Sequence, residues 1–283
     1  MKDFAGKTAF VTGAAQGIGL GICRALAREG VSIAMADIAA APLEAARAAL
    51  ERDGARAIAV PLDVSDFAAV MRAAGQVETQ FGALHILVNN AGVVAPARPV
   101  SAIPLEDWAW LIGVNLYGAI HGVRAFLPLI RRHGASGHVV NTASIAGLQV
   151  SPGRGTGGYA ATKYAVVAFS EALEQELAGS GIGVSVLCPA AVNTAIFEAP
   201  RRRPPHFGGP FEPSPPNANQ LALAEGLSPD AIGARVVQAI RDDEFFIFTH
   251  AETRAWIEAR HQRLIDGFDR LARYDRMRGG ETR

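Results

Sequence analysis

The chain has 283 residues, enough for one large domain or two small ones. At 49% hydrophobic against 19% charged it can bury a sizeable core and does not read as disordered. Lys+Arg and Asp+Glu balance at 27 each, so no global basic field points to nucleic acid or to an anionic membrane. Cys23 and Cys188 lie 165 positions apart in apolar segments and read as a reduced pair. No Cys/His spacing suits a metal, and no apolar run reaches transmembrane length. Met1-Lys2-Asp3-Phe4 leads into a strand pattern and not into a secretory signal, so the expectation is a soluble cytoplasmic protein.

Short apolar runs alternate with longer amphipathic segments. Residues 8–11 are the first expected strand, and 18–28 a helix closed by Gly30. Strand 31–36 follows, ending at Asp37, then an Ala-rich helix at about 43–52, strand 57–61, helix 67–81 and strand 84–89. A helix is expected from 105 to about 127, kinked or broken near Pro128. Strand 137–142, helix 159–178, strand 183–187, helix 232–241 and strand 244–248 complete the pattern. Continuous apolar strands separated by helices predict an α/β fold, a doubly wound parallel sheet covered on both faces. Without a linker or composition break before Asn193 this reads as one domain.

Two segments stand apart. Between 195 and 229 the chain carries eight prolines and the run Arg201-Arg202-Arg203. It reads as a lid or binding loop, or else as a surface insertion. The arginines read as solvated surface, with contact to an acidic substrate as the alternative. In the tail, 251–275 places Trp256, Ile257, Leu264, Ile265, Phe268 and Leu271 at helical spacing. This is an amphipathic helix that packs on its own subunit or on a neighbour.

Glycine-rich chemistry opens the chain. Thr12-Gly13-Ala14-Ala15-Gln16-Gly17-Ile18-Gly19 joins the first strand to the first helix, where glycines allow a tight turn and a close approach of backbone to a pyrophosphate. Asp37, eighteen residues after Gly19, can accept hydrogen bonds from ribose hydroxyls and repel a 2′-phosphate; neither Gln16 nor Ile38 supplies the opposing cation. NAD is therefore expected in preference to NADP. Asp63-Val64 closes the third strand, where a carboxylate and an N–H can meet the adenine edge. Asn89-Asn90-Ala91-Gly92 closes the fourth with residues small enough for a close approach. Ligands of open parallel sheets sit at the carboxyl ends of strands, where all of these lie.

The frame Tyr159-Ala160-Ala161-Thr162-Lys163 puts a phenol and an ammonium four apart on one helix face. An ammonium beside a phenol stabilises the phenolate and lowers its pKa, as a general acid/base requires. Ser144 lies fifteen residues upstream, and Asn115 further still.

In order and approximate spacing, Thr12 to Gly19, Asp63, Asn89 to Gly92, Asn115, Ser144, Tyr159 and Lys163 resemble the short-chain dehydrogenase/reductase family over about residues 5–250. The resemblance implies a Rossmann-type seven-stranded sheet, with 1–143 mainly the cofactor-binding half and 144–250 the catalytic and substrate half, and hydride transfer between NAD(P) and an alcohol or carbonyl. It implies that Tyr159 is the general acid/base, that Lys163 lowers its pKa and bonds the nicotinamide ribose, and that Ser144 holds the substrate oxygen. Asn115 would support a water-mediated proton relay, and Val192 and Thr194 would meet the carboxamide. It also implies a homodimer or homotetramer through the helices at 105–127 and 159–178.

Two departures are visible. Pro189-Ala190 stands where the family usually has Pro-Gly, and the 144-to-159 interval, with glycine-rich 152–158, runs about two residues long. That loop usually borders the substrate. A finer similarity rests on Trp110 to Gly118 and Phe248-Thr249-His250. It is to a bacterial branch whose members oxidise benzylic secondary alcohols of lignin-derived aryl ethers. This favours a bulky hydrophobic secondary alcohol or ketone, an aryl carbinol first. Hydroxysteroid, terpene-alcohol and cyclic-diol dehydrogenation, NADPH-dependent carbonyl reduction and a non-catalytic dinucleotide sensor stay open as alternatives.

Overall fold

In the computed structural model, which describes residues 1–132, 136–213 and 224–278, seven strands form one sheet in the order β3-β2-β1-β4-β5-β6-β7, parallel at every pairing. The strands are β1 (Thr8–Thr12), β2 (Ser32–Asp37), β3 (Ala57–Pro61), β4 (Ile86–Asn89), β5 (Gly137–Thr142), β6 (Ile182–Cys188) and β7 (Phe246–Phe248). Helices α1 (Gly17–Arg28), α2 (Ala40–Arg52), α3 (Phe67–Phe81), α4 (Leu105–Leu111), α5 (Gly118–Arg132), α6 (Gly157–Leu177) and α7 (Pro229–Asp242) connect them.

Alternating strand residues feed two core layers, as the strand period of two demands. Ala9 and Val11 of β1 join Ile22 and Leu26 of α1 and Val236 and Ile240 of α7 on one face. Phe10 joins Val77 of α3, Phe126 of α5 and Leu177 of α6 on the other, with the Phe10 and Phe126 rings stacked at 4.1 Å. The doubly wound reading from the strand pattern is what forms.

The expected break at Pro128 does not occur. α5 runs through Pro128 to Arg132. Pro128 and Arg124, whose carbonyl loses its helical donor, are both on the exposed side, where water can replace the missing bond. The irregularity lies earlier: between α4 and α5 the chain winds as a π-helix over Ile112–Tyr117.

His138 is a buried ring on β5 with its side chain 1% exposed. Its Nε2 lies 2.8 Å from Ser185 Oγ, which in turn donates to the Glu244 carbonyl at 2.6 Å. Nδ1 has no hydrogen-bond partner and lies 3.8 Å from the Asp243 carboxylate. Burial pushes the ring's pKa down to about 4; Asp243 pulls it up and the N-terminal amino group adds to the push. Unfolding thus restores a more basic imidazole, so the stability present above pH ~6.5 is lost as pH falls through ~4, by about 3 kcal/mol in the limit. Urea midpoints from pH 7 to 4.5 are expected to fall more steeply for the wild type than for His138→Gln. Equal slopes would remove His138 from the acid response.

The proline-rich segment is built from two 3-10 turns, Ile196–Arg202 and Pro205–Phe207. Residues 214–223 of that expected loop lie outside the described residues. The expectation of three solvated arginines is corrected here. Arg201 is exposed and paired with Glu198, but Arg203 is 5% exposed and its Nη1 donates to Asp107 Oδ1 on α4 at 2.7 Å. Its guanidinium also sits over the Trp110 and Phe211 rings at 5.2 and 5.5 Å. The sequence shows three like neighbours; the turn at Arg202–Arg203 sends them in different directions.

The chain divides into two compact units, Met1–Thr249 and one beginning at His250. The expected tail helix forms as α8 (Arg254–Met277), with no buried residue and with Leu264, Phe268 and Leu271 exposed. Among the described residues, no helix is long and apolar enough to cross a membrane.

Candidate active site

Strand order reverses direction between β1 and β4, and a cleft with about 1130 Å³ of empty space, mouth included, opens there along the carboxyl ends of the strands. Thr12 ties the two strand ends together. Its Oγ1 accepts from the backbone N–H groups of Asn90 and Ala91 at 2.9 and 3.0 Å, and Asn90 Nδ2 donates to the Thr12 carbonyl at 3.0 Å. Gly17 turns the chain into α1 at φ 56°, a left-handed conformation that favours glycine. A Cβ on Gly19 would lie 2.2 Å from the Gly13 carbonyl oxygen, so only hydrogen fits there.

Gly13, Gln16, Gly17 and Ile18 then line the cleft. The N-cap Gln16 makes no side-chain capping bond, and the first turn of α1 holds no acidic residue. Its N–H groups are left for an acceptor in the cleft, an arrangement that fits a diphosphate.

On the β2 side, Asp37 accepts from Ala15 N at 3.2 Å through Oδ2 and from Ala39 N at 2.9 Å through Oδ1. Asp63 Oδ1 is held by the Ser65 N–H and hydroxyl at 2.9 and 2.7 Å. Asp37, Asp63, Val64, Asn90, Ala91, Gly92 and Thr194 all line the cleft. Val192 does not. Its side chain is core, and the bridge to Leu227 uses the flanking Ala191 carbonyl and Asn193 N–H, which turns Val192's own N–H and C=O the other way.

Tyr159 and Lys163 rise from the first two turns of α6 into the same cleft. Asn115 stands in the π-helical segment, as side chains at functional sites frequently do. Its Oδ1 accepts from Val93 N at 2.8 Å, and its Nδ2 donates to the Val93 carbonyl and to Thr162 Oγ1, both at 3.0 Å. Both amide hydrogens are committed to bracing the post-β4 loop against α6. Ser144 caps the turn after β5. Its Oγ accepts from Ala146 N at 3.1 Å and donates weakly to the Pro189 carbonyl at 3.4 Å, and the hydroxyl acts to lower the Tyr159 pKa.

The expected depression of the tyrosine pKa by lysine is not what this geometry produces. Burial pushes the Tyr159 phenol up to about 12, opposed by the Ser144 hydrogen bond. Burial also lowers the Lys163 ammonium to about 8, and its Nζ donates to the Thr142 carbonyl at 2.8 Å. Lys163 Nζ stands 5.6 Å from the centre of the phenol ring. Desolvation is the largest cause for both groups.

Several residues in the site carried no signal of their own. Thr142 receives Lys163 on its carbonyl and donates through Oγ1 to Asn90 Oδ1 at 3.3 Å. Thr162, inside the Tyr-Lys frame, links Asn115 to the Tyr159 carbonyl. Cys188 sits under the cluster with its thiol bonded to the Ser144 backbone, and burial pushes it up to about 12, so it stays protonated. The glycine-rich stretch 152–158 is folded on residues 97–100 through Arg98 N–Gly155 O at 3.0 Å, and the two segments line a depression. Val93, Trp110, Val114, Ile196, Ala199 and Pro204 add apolar side chains to the lining of the main cleft.

Residues 7–204 match the family model described as short chain dehydrogenase. The C alpha-dehydrogenase of Sphingobium sp. (strain NBRC 103272 / SYK-6) is 35% identical over 269 residues, covering 94% of this chain and 88% of that protein. The 1-deoxy-11-beta-hydroxypentalenate dehydrogenase of Streptomyces avermitilis is 35% identical, covering 94% of this chain and 90% of that protein. A crystal structure of a short chain dehydrogenase/reductase from Burkholderia phymatum in complex with NAD superposes with a TM-score of 0.85 at 36% identity, covering 93% of this chain and 96% of that one.

Proposed function

The chain belongs to the short chain dehydrogenase family, an oxidoreductase built for a nicotinamide cofactor and a CH–OH substrate, and from that premise we propose that it interconverts a bulky hydrophobic secondary alcohol and its ketone with NAD. The observation that carries the reading is the convergence of Tyr159 and Lys163 on one cleft with the glycine turn and Asp37, with Ser144 next in the chain after the lining residues Thr142 and Ala143. When bound, the nicotinamide supplies the hydride acceptor or donor.

The proton is the protein's task. At neutral pH the Tyr159 phenol keeps its proton, the form that donates to the oxygen of a ketone as negative charge develops there. Ser144 Oγ, bonded in the free chain to Ala146 N–H and the Pro189 carbonyl, is the hydroxyl that turns to orient that oxygen when substrate binds. The oxidative direction needs the phenolate, and Lys163 is the cation at hand to stabilise it once its Nζ leaves the Thr142 carbonyl. Apolar side chains of the cleft lining, Val93 and Ile196 among them, favour an apolar substituent on the carbinol carbon. An aryl carbinol is the favoured class, supported by the C alpha-dehydrogenase similarity; the equally similar hydroxypentalenate dehydrogenase keeps a terpene alcohol as the second reading.

The preference for NAD rests on Asp37, fixed by two backbone N–H groups at the end of β2. The free, buried Cys23 and Cys188 accord with a reducing, cytoplasmic setting, and a homo-oligomer is the expected assembly. Assays of NAD and NADP reduction against aryl, terpene, steroid and aliphatic secondary alcohols test these points together. NAD-dependent turnover of an aryl carbinol is the expected result, and Asp37→Ala is expected to narrow the NAD/NADP ratio by about tenfold or more. An unchanged ratio would show that Asp37 does not read the ribose, and NAD binding without turnover of any alcohol would favour a sensor.

A further inference from the structure

We propose that Arg202 is a direct ligand for the cofactor's diphosphate, delivered across the cleft by the segment that follows β6; this rests on the nicotinamide reading above. The glycine turn contributes only neutral groups of its own: N–H donors and the Gln16 amide. The structure supplies a cation from 186 residues away. Arg202 is half-buried, lines the cleft, and places Nη2 3.5 Å from Gln16 Oε1, a long contact to a neutral acceptor. Among the described residues it has no carboxylate partner within 4.0 Å, unlike Arg201 and Arg203 on either side. A guanidinium facing a cleft without an anion is matched to one that binds there.

Position identifies the anion. Asp37 marks the ribose end on β2, and Tyr159 and Lys163 mark the nicotinamide end beyond β4 and β5. Gln16, at the N-cap of α1, lies between them, where the dinucleotide's two phosphates pass. A substrate carboxylate is the poorer match, because the substrate's carbinol belongs beside Tyr159 and Lys163.

Three contacts hold the segment where Arg202 can act. Thr194 Cγ2 abuts the glycine turn, lying 3.2 Å from where a Cβ on Gly17 would stand. Arg203 is locked on Asp107 at 2.7 Å. His206 Nε2 lies 3.4 Å from Ser65 Oγ and 3.9 Å from Asp63 Oδ2 at the adenine side. The segment thus braces the cofactor half of the cleft as well as the substrate half.

Titration calorimetry with NAD, ADP-ribose and adenosine on the full chain tests the assignment. Arg202→Ala is expected to weaken NAD and ADP-ribose by about tenfold or more, through loss of a charge-assisted hydrogen bond, with adenosine unchanged. Arg202→Lys is expected to recover part of the loss, since it keeps the charge without the planar fork. Arg201→Ala, at the exposed neighbour, is expected to change none of the three. Unaltered ADP-ribose binding in Arg202→Ala would overturn the proposal. Equal loss of adenosine would also overturn it, by showing that the residue shapes the segment and does not bind phosphate. A wild-type chain that binds neither NAD nor NADP would instead remove the nicotinamide reading, and the Arg202 assignment with it.

Discussion

Tyr159→Phe is expected to lower kcat by about 10²–10⁴-fold while leaving NAD affinity nearly unchanged, the signature of a lost proton donor with the binding surface intact. The substitution removes one hydroxyl and keeps the ring that lies 5.6 Å from Lys163 Nζ. Folding should tolerate it, because burial already disfavours the charged phenolate and holds the phenol's pKa near 12. The wild type should lose stability as pH rises from ~10 towards ~12, where unfolding alone lets this phenol ionise, and Tyr159→Phe should lack that contribution. Single-turnover rates measured beside equilibrium NAD binding decide the point. Residual turnover within about tenfold of wild type would remove Tyr159 as the acid/base.

Asp107→Ala is expected to cost about 3–5 kcal/mol of stability, because it strands a buried guanidinium. Arg203 is 5% exposed; among the described residues its Nε and Nη2 have no hydrogen-bond partner, and Asp107 Oδ1 is the one carboxylate it touches. The Trp110 and Phe211 rings would then face an unpaired cation. Replacing both partners by apolar residues of similar size, Asp107→Leu with Arg203→Met, should recover most of the loss, since no charge remains in the interior. Urea unfolding of the single and double variants provides the comparison. An Asp107→Ala chain within about 1 kcal/mol of wild type would show that the pair is dispensable for the fold.

Much of the site was legible because its chemistry is local. The glycine turn needs its residues in consecutive positions, and the phenol and ammonium need one helical turn between them, so both leave short patterns. Asp37 and Asp63 were found because strand ends can be located from apolar runs, and a parallel sheet brings those ends to one side. The π-helix at Ile112–Tyr117 was not legible: the same residues satisfy an ordinary helical period, and Pro128, the visible breaker, falls on the exposed side where it breaks nothing. Nor was the fate of Arg201, Arg202 and Arg203, three like neighbours that solvate, line the cleft and bury in turn.

The sequence by itself determined the doubly wound sheet, the glycine turn and the identities of the residues gathered at the strand ends, because each follows from periodicity or from spacing within a few turns of chain. Only the tertiary structure decided the state of those residues. The protonated phenol, the lowered lysine engaged on Thr142, the neutral His138 and the thiol of Cys188 all depend on how far each group is removed from water. Desolvation is set by atoms distant in the chain. So is the meeting of Arg202 with Gln16 across 186 residues, which no local pattern encodes.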